Sequence, residues 1–175
     1  MGKAGSLALA LTVSALLACQ YLPGRPAFIP LPLPRLADCA GSLVPTQELE
    51  GEWLIHERIR VRGERVDESY GLVVQKTGAR LVLIGLTPFG AKAFSVTQIG
   101  VEVWSESKLG AALPVPPENV LRDLHRAHFL ATDDPNFEGR SVRRDRDGSL
   151  HIAAASCGYE STLVPISVVN SNVTR

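Results

Sequence analysis

The sequence predicts a mainly β protein, an antiparallel sheet accompanied by one or two helices. Three observations carry this. From Trp53 onward, short runs of residues alternate between apolar and polar. Turn signals such as Thr77-Gly78, Ile99-Gly100 and Asp147-Gly148 separate the runs. Only one stretch has the period of a helix, and it lies between two groups of strands.

Residues 1–18 read as a bacterial lipoprotein signal. Lys3 supplies a positive start, and Leu7 to Ala18 form an apolar run interrupted only by Thr12 and Ser14. Such a run suits a signal peptide and is too short for a membrane span, which takes ~20 residues. Leu16-Leu17-Ala18-Cys19 matches a lipobox, so the expected lipid anchor is Cys19, acylated after cleavage at Ala18. Two or more acyl chains, at ~0.8 kcal/mol per buried methylene, attach a protein to a membrane durably. Gln20 rather than Asp after the cysteine points to the outer membrane, with the protein facing the periplasm. Two other patterns compete: a myristoylated Gly2, which would leave a dozen apolar residues with nothing to bury them, and an ordinary secretory signal cleaved elsewhere.

Residues 19–37 form the lipidated N-terminus and a tether. Pro23, Pro26, Pro30, Pro32 and Pro34 exclude helix and sheet interior and favour polyproline II. Phe28, Ile29, Leu31 and Leu33 make the segment greasier than an ordinary linker. The domain is expected over residues 38–175.

The elements of the domain follow in order. Trp53, Ile55, Ile59 and Val61 alternate with His56, Arg58, Arg60 and Arg62, a half-buried antiparallel strand. Arg65–Lys76 is the second strand and Arg80–Leu86 the third, whose Leu81-Val82-Leu83-Ile84 implies cover on both faces. Leu86-Thr87-Pro88-Phe89-Gly90 breaks the run, and Lys92–Gln98 pairs with Val101–Ser107. Pro116 and Pro117 open the helix, with Val120, Leu121, Leu124, Ala127 and His128 along one face. Strands return at Phe137–Arg143, Leu150–Ala155 and Tyr159–Val169.

Eighteen basic and eighteen acidic residues balance in the full chain, and removing Lys3 leaves a slight negative excess. Nucleic-acid binding needs a concentrated basic face, and none is legible. Arg140, Arg143, Arg144 and Arg146 are interrupted by Glu138, Asp145 and Asp147, which reads as a solvated hairpin. Of the three cysteines, Cys19 is assigned to lipid, and Cys39 and Cys157 pair in an oxidising compartment unless both are buried free thiols.

No catalytic residues are assigned. His125 and His128 with Asp123, Asp133 and Asp134 resemble a metal cluster, but no third ligand is placed and a structural histidine pair is the simpler reading. Ser156-Cys157-Gly158 lacks the frame of a nucleophile elbow, and Ser161 and Thr162 have no partner pattern. No metal site, cofactor or enzyme activity is expected. Leu86 and Phe89 flank Pro88 on a turn. Phe89 is either an exposed tip for membrane or partner contact or folds back over the sheet edge.

The lipobox, Trp53 at a strand start, and Leu81 through Gly90 resemble LolB-like outer-membrane lipoproteins. Leu113 through Leu124 and Cys157-Gly158-Tyr159-Glu160 are most similar to an uncharacterised bacterial lipoprotein family, a domain of unknown function with a LolA/LolB-like fold. The likeness runs from about Cys39 to Val169. It implies a strongly curved, unclosed antiparallel half-barrel with helix in its concave face, an apolar cavity for acyl chains, and a protruding apolar turn matched by Phe89. Trp53, Ile55, Leu81, Leu83, Leu121 and Leu124 are the expected lining. The expected function is a membrane-anchored, monomeric carrier of lipid or lipoprotein cargo. The alternative is a structural or assembly lipoprotein that binds a protein partner at the outer membrane.

Overall fold

A computed structural model describes residues 34–170, apart from 131–133 and 135. The signal segment, Cys19 and the tether as far as residue 33 lie outside the described residues, as does Asp133. Eight strands form one antiparallel sheet: β1 (Trp53–Gly63), β2 (Asp67–Thr77), β3 (Arg80–Leu86), β4 (Lys92–Ile99), β5 (Glu102–Ser107), β6 (Arg140–Arg144), β7 (Leu150–Ala154) and β8 (Tyr159–Asn170). One helix, α1 (Pro117–His128), lies between β5 and β6 in the chain. The strand order is β5-β4-β3-β2-β1-β8-β7-β6, so the last strand returns beside the first.

The helix dictates the shape of the sheet. It touches β4 and β5 at one flank and β6 and β7 at the other. Strands lie ~4.8 Å apart, so a flat sheet of this order would be roughly 30 Å wide, against ~10 Å for a helix. One helix reaches both flanks only because the sheet curls around it. β5 and β6 remain edges, and the barrel is unclosed. The inner face carries Ile55, Ile59 and Val61 of β1, Tyr70, Leu72 and Val74 of β2, and Leu81 and Leu83 of β3. All are buried with Val120, Leu121 and Leu124 of α1 in one core cluster.

Two expectations are corrected. Phe137–Gly139 is a 3-10 turn and not the start of a strand, because Glu138 (φ 54°) and Gly139 (φ 71°) take left-handed backbone that no ladder accommodates. The run Leu81–Ile84 is apolar on both faces, yet only Leu81 and Leu83 are buried, and Val82 and Ile84 stay half-exposed on the outer face. Their cross-strand neighbours Gln75, Val73, Thr97 and Ser95 give lateral shielding, and that suffices for a central strand.

Gly85 shows how tightly the inner face is fitted. It pairs with Phe94, whose ring packs edge-on against Tyr70 at 5.3 Å and lies over the glycine. A Cβ at residue 85 would stand 2.3 Å from the Phe94 ring, whereas one at Gly71 would meet only Leu86, at 3.8 Å. Gly85→Ala is expected to cost about 1–3 kcal/mol by overpacking, and Gly71→Ala to be nearly neutral. Denaturant unfolding of the two variants tests the contrast.

Candidate functional site

Residues 36–50 form no strand, yet they cross the helix as an ordered strap. An extended segment without a ladder still needs partners for its N–H and C=O groups. Here distant side chains supply them. Asn119 accepts from the Cys39 N–H at 2.8 Å and donates to the Ala37 carbonyl at 2.8 Å. Arg122 pairs with Asp38 at 2.7 Å, and the Arg140 guanidinium donates to the Ala40 carbonyl. Both the backbone N–H (2.6 Å) and the hydroxyl of Ser42 donate to Glu138. The Leu36 N–H reaches the Pro114 carbonyl at 2.8 Å, so the strap joins the fold slightly before residue 38. Cys39 and Cys157 lie at disulfide distance, with Cα atoms 6.1 Å apart, and pin the strap to the β7–β8 connection.

Two ionisable groups are sealed beneath the strap. The Val44 N–H donates to His125 Nδ1 at 3.0 Å, which fixes the proton on Nε2, and Nε2 donates to Gln98 Oε1 at 2.7 Å. The Gln98 amide then donates to the Val44 and Gly100 carbonyls at 2.9 and 2.7 Å. Burial pushes the His125 pKa down to about 4, so the ring is neutral. Asp123 is buried on the other side of the helix. It accepts from Ser161 (2.8 Å), Tyr159 (3.0 Å) and Arg140 Nε (3.2 Å). Burial outweighs these donors and raises its pKa to about 6. A third buried group, Glu57 on β1, accepts from His128 Nε2 at 2.9 Å, while its Oε2 has no hydrogen-bond partner.

The structure distributes the residues singled out in sequence. Ile55, Leu81, Leu83, Leu121 and Leu124 all join the buried core, and Trp53 packs at its rim against Phe129, ring centroids 5.5 Å apart. Phe89 is 97% exposed on the β3–β4 turn, and Leu86 is half-buried at the strand end. His125 and His128 do not converge on a common point. One bonds Gln98 and Val44, the other Glu57, and no metal-holding group of His, Cys, Asp and Glu occurs among the described residues. Arg140 corrects the solvated-hairpin reading. It is 3% exposed and inserted between Asp123 and the strap, while Arg143 and Arg144 are exposed.

A family described as a protein of unknown function (DUF3261) matches residues 56–147, from β1 to the β6–β7 turn. The chain belongs to this family. No curated protein matches the chain. The stretch matched to DUF3261 holds Glu57, Phe89, Asn119, Asp123, His125 and Arg140; Cys39 and Cys157 fall outside it.

Sequence reasoning passed over Glu57, Gln98 and Lys76, although each left a signal. Each interrupts an apolar register: Glu57 between Ile55 and Ile59, Lys76 after Leu72 and Val74, and Gln98 after Phe94 and Val96. A polar residue in a buried register needs a dedicated partner. Those partners are His128, the Gly78 carbonyl, and the His125–strap cluster.

Two outcomes follow. His125 titrates near 6.5 unfolded and about 4 folded, so the native state binds fewer protons in between and its stability falls as pH drops through that window. Asp123 has the opposite slope, binding protons more tightly when folded between 3.8 and about 6. The stability difference between wild type and His125→Gln isolates the first effect, and should shrink by about 2–3 kcal/mol from pH 7.5 to 4.5 in urea unfolding. Replacing both Cys39 and Cys157 by Ala should cost about 4 kcal/mol, since the bridge spans 118 residues.

Proposed function

We propose that this domain is a membrane-anchored carrier of acylated cargo, a lipid or a lipoprotein, in the bacterial envelope. The observation that carries the reading is Phe89, an aromatic ring 97% exposed on a Pro-Gly turn. Burying such a ring in a bilayer or against a partner gains roughly 2 kcal/mol, which a solvated surface residue forgoes. Its location adds weight. β3 runs parallel to β1, two strands away, so the Phe89 turn and the end of β1 share one end of the sheet. Leu36 packs beside Gly63 at that end, so the strand end nearest Phe89 is where the described chain enters the fold.

The likeness to LolB-like lipoproteins belongs to this proposal, as do the periplasmic, outer-membrane location and the non-enzymatic role. The curled, unclosed sheet supports it, and at the rim of its inner face Val168, paired with Ile55, faces inward yet is exposed. Acyl chain there would be recognised by area buried, at ~25 cal/mol per Å².

One observation favours a second reading, an assembly lipoprotein that holds a protein partner. Of β8, β7 pairs only with Tyr159–Leu163, so among the described residues 164–170 bond to β1 alone and present an edge with exposed Val164, Ile166, Val168 and Val169. Such edges accept an added strand.

Mass spectrometry of lipid co-purified with the protein separates the two. The carrier reading expects stoichiometric acyl species, and a lipid-free folded domain would favour the assembly role. Phe89→Glu should leave the Tm unchanged while impairing cargo transfer or membrane contact. A loss of about 3 kcal/mol in stability would instead place Phe89 in the core. Cys19→Ala should abolish acyl labelling.

A further inference from the structure

The outer face of the sheet carries a feature that the carrier reading does not use. Arg58, Arg60 and Arg62 project from β1 at every second residue, roughly 6.6 Å apart along the strand. They line a cleft of about 370 Å³ with Ser69 of β2 and Thr162 and Val164 of β8. That volume lies within the ~300–1,000 Å³ typical of small-ligand sites. Gly71 faces Arg58 across β2, and the missing side chain leaves room above the strand.

The charges in the cleft are unbalanced. Asp67 binds Arg60 through two bonds, at 2.7 and 2.8 Å, and stands 3.8 Å from Arg62. Glu160 is opposite Arg62 on β8 and lines a neighbouring cleft. Among the described residues, Arg58 makes no ion pair and no side-chain hydrogen bond. Its planar fork is free to take an oxyanion in bidentate fashion. Arg60 keeps its second terminal nitrogen uncommitted, and the Ser69 hydroxyl stands beside it on β2, while that of Thr162 on β8 is engaged with His151 Nδ1 at 3.1 Å.

We infer that this cleft binds a phosphate group, through Arg58 and Arg62 with the Ser69 hydroxyl as a further donor. A planar carboxylate occupies one guanidinium fork and leaves the rest of the cleft unpaired. A tetrahedral phosphate presents oxygens to the forks of Arg58 and Arg62 on β1 and to the Ser69 hydroxyl of β2 at once. The site lies on the face opposite the helix, so it stands independently of any acyl cargo inside. The phosphate could be free or part of a lipid headgroup.

Two titrations of the full chain distinguish these sources. In calorimetry with inorganic phosphate, saturable binding at least tenfold weaker in Arg58→Ala and in Arg62→Ala would assign a free phosphate. In flotation of Cys19→Ala protein, which lacks the acyl anchor, binding that phosphatidic acid adds over pure phosphatidylcholine vesicles and that Arg58→Ala loses, without heat from inorganic phosphate, would assign a headgroup. Arg58 has no structural partner, so its variants should keep the wild-type Tm, and exposed Arg144→Ala on β6 serves as a control that binds normally. Absence of both interactions in the wild type, or binding that Arg58→Ala and Arg62→Ala leave unchanged, would overturn the assignment.

Discussion

The fold depends on satisfying the backbone of one irregular segment. The strap at residues 36–50 crosses the helix with no strand beside it, and every buried N–H or C=O left unpaired there would cost about 1–3 kcal/mol. Side chains of Asn119, His125, Gln98, Arg140 and Glu138 supply the missing bonds. Much else follows. The helix cannot be amphipathic in the ordinary sense, since Val120, Leu121 and Leu124 face the sheet while Asn119, Asp123 and His125 are buried as well. The sheet cannot open flat, because the helix it wraps is clamped from the other side.

How much was legible in the sequence follows from the range of the interactions involved. Strands such as Arg80–Leu86 and the helix were readable because periodicity is local, and the cysteine pairing because assigning Cys19 to lipid leaves an even remainder of two. The Pro-Gly turn signalled an exposed Phe89 but left its burial open. The strap was not readable. Its bonds join residues as much as 80 to 100 positions apart, as from Cys39 to Asn119 and from Ala40 to Arg140, and no short window of sequence contains both partners. Arg140 was misread for the same reason. A neighbourhood of charges suggests solvent, and only the arrival of Asp123 from the helix shows otherwise.

The two faces of the sheet also divide the chemistry. On β1, inward Ile55, Ile59 and Val61 build the core while outward Arg58, Arg60 and Arg62 crowd one cleft. A strand's period of two lets one segment serve an apolar interior and a cationic exterior without compromise. The residues matched to DUF3261 contain both sides of this strand and the helix, whereas the covalent clasp lies beyond them.

That clasp has a mechanical consequence. A protein tethered through its N-terminal segment would be pulled along that segment whenever its partner or membrane moves. Tension entering at the strap would reach Cys39 and cross directly to Cys157, which lies 118 positions further along the chain. The seven strands and the helix between those two residues would be short-circuited from the load. Reduction of the bridge would redirect the same force into the hydrogen bonds of the strap, which can be peeled off the helix one at a time. In a chain so tethered the disulfide would act as a strain relief, sparing the domain the forces of its attachment.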